Sequence, residues 1–405
     1  MVSACPDTTP PCEPQELVRG PWAVGLYTRE AEIRWETDQA GCGGMRFAVE
    51  GSENWLGAVA SLATTVTRTI TFGEDDLERP DRASVSYVHR VGLRNLSPNT
   101  CYTYQISQMK SVHTGRVCTA PETVDATATF AAIGSTEPTG EATATLYGQI
   151  AAARPQAIFH LGDIQHYSNP LDSWNAWTAR TQSVLSTAQL LPVVGEQEFE
   201  VLDDEGSSVD NEPREYAEYF QPLWSGHSHA SLGDNYALRV SQIVYIVVDS
   251  LGLKGPSIWS EQGQLWLDQI LREAESGSGH AFSVILMHQP PYTRSSRRSG
   301  TDRRELLRTL LAGHRVPLVL AGDATCYERF TVDDRLYVNS GGGGSRLESC
   351  DQANPDPIID AELISLQQKH QSVHHWIHLS QSSTGLQGQV IAEDGAIIDQ
   401  WEVQP

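Results

Sequence analysis

The chain has 405 residues, of which 51 are acidic and 28 basic, and its formal net charge at pH 7 is −23. This acidity excludes nucleic acid as an expected partner, because phosphate binding needs a basic face, and it disfavours an anionic membrane surface. Apolar residues make up 40% of the chain without forming a run of 18. The composition therefore predicts a sizeable core and no transmembrane helix.

Residues 1–16 are predicted to form an N-terminal tether. The segment has neither the basic nor the apolar region of an intact signal peptide. Val2-Ser3-Ala4-Cys5 is similar to the end of a bacterial lipoprotein signal, with Cys5 as the acylated residue. The alternative is a frayed terminus with an incidental cysteine. A low content of charged residues (20%) and the 33 glycines favour an extracytoplasmic protein, which would be periplasmic, secreted or lipid-anchored through Cys5.

Residues 17–120 alternate apolar and polar side chains in short runs broken by turn residues, which predicts a β-sandwich. The runs are AEIRWET, MRFAVEG, TRTITFG, VSYVHRVGL and TCYTYQIS. The stretch LRNLSPNTCYTYQI is similar to a strand–turn–strand unit of fibronectin type III domains. Cys101 and Cys118 flank a hairpin-like stretch and are candidates for a disulfide, and Cys326 and Cys350 are candidates for a second one.

A second domain is predicted over residues 126–405, where continuous apolar runs alternate with helical patterns. The apolar runs are 129–134, 157–163, 190–196, 243–250, 282–289, 316–323 and 336–342. The helical patterns include 141–153, 171–187, 262–275 and 303–313. Most of these apolar runs end in a polar or glycine-bearing motif: Gly134-Ser135, Gly162-Asp163, Gly195-Glu196, His288-Gln289, Gly322-Asp323 and the glycines 341–344. Because chemistry in α/β sheets sits where strands end, these motifs predict a site.

In this order the motifs resemble those of purple acid phosphatases, within the calcineurin-like metallophosphoesterases. The resemblance includes the fibronectin-like front region, the YER after the fifth motif, the glycine run and the closing DGAIIDQWEV. It implies a four-layer α/β/β/α domain. It also implies two metal ions that share a bridging aspartate, here Asp163, and activate a hydroxide against a phosphate ester.

Several ligand positions of that family are changed in this chain. Ser135 stands where the family has its first aspartate, and Thr325 where it has its last histidine. Gln197 replaces a histidine that meets the phosphate or helps protonate the leaving group, and His166 replaces the tyrosine behind the purple colour. The positions that keep a metal-binding side chain are Asp163, Glu196, His288 and Asp323.

These four residues would hold the second metal ion of the family, whereas the first would have Ser135, Asp163, His166 and Thr325. Neutral serine and threonine are poor ligands for a transition metal at neutral pH. Three carboxylates and one imidazole favour Mn²⁺, Mg²⁺ or Ca²⁺ over Zn²⁺, and Fe is a further candidate. We therefore expect one divalent ion, with His166 either an extra ligand or a hydrogen-bonded loop residue.

The candidate catalytic residues are His166, Gln197, Arg294 and Arg297. The two arginines belong to the basic loop 294–304, which borders the cleft in the family. They would clamp an anionic substrate or neutralise the carboxylates, and the alternative is a loop that points to solvent.

The resulting interpretation is a divergent metallophosphoesterase with a remodelled, mononuclear site that acts on a phosphate ester or another small anionic substrate. Two-metal phosphatase activity is not expected. The alternative is a non-catalytic pseudophosphatase that serves as a binding or scaffold protein on the same fold. The sequence makes no prediction about oligomeric state.

Overall fold

The protein is represented by a computed structural model, which describes residues 13–41, 44–59, 62–70, 82–107, 109–164, 170–198, 200–202, 208–210, 232, 234–252, 256–296 and 303–405. Three residues with a predicted role lie outside the described ranges, namely Cys5, His166 and Arg297. Their predicted roles therefore stay predictions.

The N-terminal third forms two antiparallel sheets that face each other across one core. Their strands are β1 (Leu17–Val24), β2 (Ala31–Thr37), β3 (Gly44–Val49), β4 (Leu56–Val59), β5 (Leu62–Ile70), β6 (Arg82–Leu93), β7 (Cys101–Ser107) and β8 (His113–Cys118). One sheet has the order β4-β3-β7-β8, and the other contains β1-β2-β6-β5. Ile33, Trp35, Tyr104 and Val117 pack between them. A fibronectin type III topology for this region stays a prediction.

The remaining elements alternate strands with helices, as the apolar runs indicate. They are β9 (Ala128–Ile133), α1 (Glu141–Ala153), β10 (Ala157–His160), α2 (Pro170–Leu185), β11 (Gln189–Pro192), a 3₁₀ turn (Glu196–Glu198), β12 (Glu200–Leu202), β13 (Ser208–Asp210), β14 (Tyr236–Val240), β15 (Ile243–Val247), α3 (Glu261–Ser276), β16 (Phe282–Met287), α4 (Arg304–Leu310), β17 (Leu318–Ala321), β18 (Tyr327–Val332), β19 (Arg335–Ser340), α5 (Pro357–Leu366), β20 (Gln367–Gln371), β21 (His375–Ser382), β22 (Gly385–Ala392) and β23 (Ile397–Val403). Helix α5 has no counterpart among the predicted helical patterns.

Two large sheets organise these elements. The first has ten strands in the order β23-β22-β21-β9-β10-β11-β1-β2-β6-β5, and the second has seven in the order β14-β15-β16-β17-β19-β18-β20. Strand β1 joins the first sheet by parallel pairing with β11, where Ala23 faces Gln189 and Val24 faces Leu190. The N-terminal strands are thus hydrogen-bonded to the sheet that carries part of the site.

The hydrophobic clusters show four layers. Phe130 and Phe159 of the first sheet pack against Tyr245 of the second, so one core lies between the sheets. Helices α1 and α2 cover the outer face of the first sheet through residues such as Tyr147 and Trp177. Helices α3, α4 and α5 cover the outer face of the second sheet. This is the mixed α/β fold that the sequence pattern predicts, with the α/β/β/α layering that the family resemblance implies.

Two disulfides are present among the described residues, and both match the expected pairings. Cys101 and Cys118 face each other on β7 and β8, and Cys326 is joined to Cys350. Such bonds persist in oxidising compartments, so they are compatible with a secreted protein. Within the described ranges, every helix is too short or too polar to cross a membrane.

A buried ion pair stabilises the N-terminal sheet. Arg34 is fully buried and pairs with Glu32, which is 3% exposed. We expect Arg34→Leu to lower the free energy of unfolding by about 3–5 kcal/mol, because it leaves a buried carboxylate without its main cation. Urea unfolding at pH 7 measures this. The matched control is Arg29→Leu, which breaks the exposed pair with Glu122 and should cost under about 1 kcal/mol. Equal costs for the two variants would contradict the prediction.

Candidate metal centre

The loops after β10, β11, β16 and β17 meet at one end of the two sheets. Gly162, after β10, has a φ of +89°, and a Cβ there would lie 2.3 Å from Nδ1 of His288. Asp163 and Asp323 also occupy the left-handed region, with φ values of 53° and 59°. Such a conformation in a residue other than glycine costs about 1–3 kcal/mol and concentrates at functional sites. The close packing fixes these loops against one another.

The structure brings Asp163, Glu196, His288 and Asp323 together. Each offers one ligand atom, and these atoms lie within 4.8 Å of one another. Nε2 of His288 is 2.7 Å from a Glu196 carboxylate oxygen and 3.3 Å from Oδ1 of Asp163. All but Glu196 are buried. The four side chains come from both sheets, so the cluster lies where the two sheets meet.

A hydrogen bond across the sheets sets the orientation of His288. Its Nδ1 lies 2.8 Å from the carbonyl oxygen of Leu161. A carbonyl can only accept, so Nδ1 carries the hydrogen and Nε2 faces the carboxylates. Burial acts to lower the pKa of His288, but the carboxylates of Asp163 and Glu196 outweigh it and raise that pKa well above the usual value. Burial acts to raise the pKa of Glu196, but the facing imidazole outweighs it and lowers that pKa.

This donor set fits one divalent cation. Three carboxylates and an imidazole whose Nε2 is already directed at them match the ligands of hard or borderline ions. In the absence of a cation, a protonated His288 would offset only one of the converging negative charges. The chemistry of the donors therefore favours a bound cation at this point.

Glu198 fixes the two loops that carry Asp163 and Glu196. Its carboxylate accepts hydrogen bonds from the backbone N–H groups of Asp163 (3.0 Å), Ile164 (2.7 Å) and Gly195 (2.6 Å). Burial and the nearby Asp163 raise the pKa of Glu198 to about 7. The backbone N–H of Gln197 donates to Oδ1 of Asp163 at 3.1 Å. Gln197 is buried, and this contact makes it a neighbour of the cluster.

Ser135 and Thr325 lie beside the same cluster, and no described hydrogen bond of their hydroxyls stabilises the fold. Both are buried, and within the described part of the chain their hydroxyl oxygens have no hydrogen-bond partner. Ser135 follows β9, and its N–H donates to the carbonyl of Gly162 at 3.0 Å, next to Asp163. Thr325 lies two residues after Asp323. An unsatisfied buried hydroxyl costs about 1–3 kcal/mol, so these two positions need an explanation.

Arg294 contacts residues in and around α5. Its guanidinium donates to Gln367 at 3.2 Å and to the carbonyl of Asp351 at 3.3 Å, and it lies 3.9 Å from Asp360. These described contacts give Arg294 a part in holding its loop. The predicted contact with substrate is not among them, and it stays a prediction.

Glu328 of the YER run is a buried carboxylate that the sequence did not single out. It accepts hydrogen bonds from the Thr293 hydroxyl, the Arg294 N–H, the Asn339 amide and the Gln367 amide. The other two residues of the run serve the fold: Tyr327 and Arg329 both donate to Asp399 of β23, at 2.8 and 2.7 Å. The sequence shows both the YER run and the closing DGAIIDQWEV run, but the reason for them is the contact of Tyr327 and Arg329 with Asp399.

Together, the two sheets, the four layers and the ligand cluster where the sheets meet define a fold of the metallophosphoesterase class. More narrowly, the chain has a purple acid phosphatase-like fold. It is similar to the purple acid phosphatase PPD1 from yellow lupin (Lupinus luteus) seeds, with a TM-score of 0.71 and 15% identity over 95% of this chain and 74% of that one. It is also similar to PhoD, with a TM-score of 0.66 and 11% identity over 98% and 94% of the two chains.

A purple acid phosphatase is also found by sequence similarity. A purple acid phosphatase of Glycine max is 22% identical over 254 residues, which cover 61% of this chain and 53% of that protein. The match spans about half the length of this curated relative. No protein-family model matches the sequence. The resemblance inferred from the motifs is thus confirmed at the level of the fold.

Proposed function

We propose that the protein is a divergent metallophosphoesterase in which one divalent cation is held by Asp163, Glu196, His288 and Asp323. The observation that carries this proposal is the convergence of their ligand atoms within 4.8 Å. Converging carboxylates with little access to solvent repel one another unless they are protonated or a cation neutralises them. Mn²⁺, Mg²⁺ and Ca²⁺ suit the oxygen-rich set best.

The proposed reaction is hydrolysis of a small phosphate ester. A divalent cation at this position supplies Lewis acidity toward a phosphoryl oxygen and neutralises developing charge. The chain's own contributions are positional: the Leu161 carbonyl directs Nε2 of His288, and Glu198 holds the loop of Asp163. His166, Gln197, Arg294 and Arg297 are proposed to contact the substrate. The two disulfides support a place of action outside the cytoplasm.

A non-catalytic role is the second candidate, and the substitutions at the first metal position favour it. Ser135 and Thr325 offer neutral hydroxyls where the family has an aspartate and a histidine, and Gln197 replaces another histidine. A chain with these changes would keep the fold as a binding or scaffold protein.

Elemental analysis of the purified protein tests the proposal. We expect about one equivalent of a divalent metal in the wild type and its loss in Asp163→Asn, because that change removes a carboxylate from the cluster. The matched control is Asp249→Asn, since Asp249 is also buried just beyond a strand end but accepts from the N–H groups of Leu251 and Gly252. A panel of phosphate mono- and diesters with Mn²⁺, Zn²⁺ and Ca²⁺ then measures hydrolysis. A wild-type protein without stoichiometric metal would remove the enzymatic proposal, and two equivalents would show a working first site.

A further inference from the structure

The hydroxyls of Ser135 and Thr325 are the feature that the proposed cation site leaves unexplained. Both side chains are interior, at 0% and 3% exposure, and their oxygens have no hydrogen-bond partner within the described ranges. Polar groups buried in this way are ordinarily paired with protein, solvent or a ligand. Their position beside a ligand cluster suggests the last of these.

The backbone places both residues next to the cluster. The N–H of Ser135 donates to Gly162 at 3.0 Å, and the N–H of Thr136 donates to the carbonyl of Asp163 at 2.9 Å. A Cβ at Gly134 would lie 3.2 Å from Cα of Gly322, so the loop of Ser135 lies against the loop that carries Asp323 and Thr325. The two hydroxyls thus belong to adjoining loops. The loop of Thr325 also carries Asp323, and the loop of Ser135 is hydrogen-bonded to the loop that carries Asp163.

The backbone of both loops is fixed by other contacts. The carbonyl of Ser135 accepts from Ser345 at 3.1 Å, and the carbonyl of Thr325 accepts from Glu348 at 3.1 Å. Ser135 has a φ of 51°, a conformation that a serine adopts only when its surroundings impose it. The Cys326–Cys350 disulfide ties the residue after Thr325 to the neighbouring loop. The backbone that carries the two hydroxyls is therefore held in place by other contacts. The hydroxyls themselves form none of the described hydrogen bonds that hold it.

We infer that Ser135 and Thr325 form a pair of hydrogen-bond donors for a tetrahedral oxyanion, the phosphoryl group of the substrate, beside the cation. This inference rests on the proposed function and deepens it. A hydroxyl is a weak ligand for a transition metal but a good donor to an anionic oxygen. Two neutral donors thus serve the substrate at the place where purple acid phosphatases have the ligands of their first metal ion.

Phosphate titration of the full-length protein tests this inference. Inorganic phosphate is titrated calorimetrically into the wild type, Ser135→Ala, Thr325→Val and the double variant, with and without Mn²⁺. Each single change should weaken phosphate binding about tenfold, and the double change about a hundredfold, because each removes one hydrogen bond to a charged group. Thr325→Ser keeps the hydroxyl and should bind phosphate as the wild type does.

The controls separate this inference from the proposed function. Thr181→Val removes a buried hydroxyl that donates to Trp177 within α2, and it should leave phosphate affinity unchanged. Elemental analysis should give the same metal content in wild type and hydroxyl variants. A wild type without metal would contradict the proposed function, while the phosphate comparison still decides the role of the hydroxyls. Unchanged phosphate affinity in the hydroxyl variants, or the loss of a metal equivalent from them, would overturn the inference.

Discussion

His288→Ala is expected to weaken divalent cation binding by at least about a hundredfold, because even an outer partner of a metal ligand contributes about 10- to 100-fold. Nε2 of His288 lies 2.7 Å from Glu196 and 3.3 Å from Asp163, so its removal takes away the one nitrogen donor of the cluster. Calorimetric titration with Mn²⁺ or Ca²⁺ measures the change, and hydrolysis of any ester that the wild type accepts should fall with it.

His375 provides a matched control within the same chain. It is also fully buried, and its Nδ1 lies 2.9 Å from the carbonyl of Val373, as that of His288 does from Leu161. Its Nε2, however, meets the hydroxyl of Ser340 at 3.1 Å and not a carboxylate. Burial lowers the pKa of His375 to about 4. His375→Ala should therefore reduce stability and leave cation affinity unchanged. Equal losses of affinity in both variants would mean that His288 acts through the fold alone.

The place of the cluster was predictable from how sheets are built, whereas the choice of these four residues came from the resemblance to purple acid phosphatases. The carboxyl ends of parallel strands lie at one edge of a sheet, so the polar residues at the ends of the apolar runs come close together there. Asp163, Glu196 and Asp323 each end such a run a few residues beyond a strand, and His288 begins the turn after β16. The ends of the apolar runs in the sequence lie just beyond strand ends in the structure, and the four residues converge there.

Other features depended on contacts between distant parts of the chain. The parallel pairing of β1 with β11 joins segments far apart in sequence, and no local alternation indicates it. The contacts of Arg294 depend on Gln367, Asp351 and Asp360 in and around α5, a helix that the periodicity did not predict. A basic loop looks the same in sequence whether its arginines face a substrate or a helix. Only the tertiary partners distinguish the two.

Glu328→Gln is expected to change the pH dependence of stability. Burial raises the pKa of Glu328 in the folded chain to about 7, although hydrogen bonds from Thr293, Arg294 and Asn339 act to lower it. The ordinary value for a glutamate is 4.5. Between these values the folded chain binds a proton that the unfolded chain has lost. The contribution of Glu328 to stability is therefore present below about pH 4.5 and is lost as the pH rises to about 7, by about 3 kcal/mol.

Denaturant unfolding of wild type and Glu328→Gln between pH 4.5 and 8 measures this contribution as a difference. The variant cannot ionise at this position, so its stability relative to the wild type should rise by about 3 kcal/mol across the range. Thr293→Val removes a donor to the carboxylate, which should raise the pKa of Glu328 further and steepen the loss. A difference between Glu328→Gln and wild type that stays constant with pH would mean that the four donors keep the carboxylate ionised throughout. In that case Glu328 would anchor the loop of Arg294 as a permanent charge, because its hydrogen bonds would outweigh its burial.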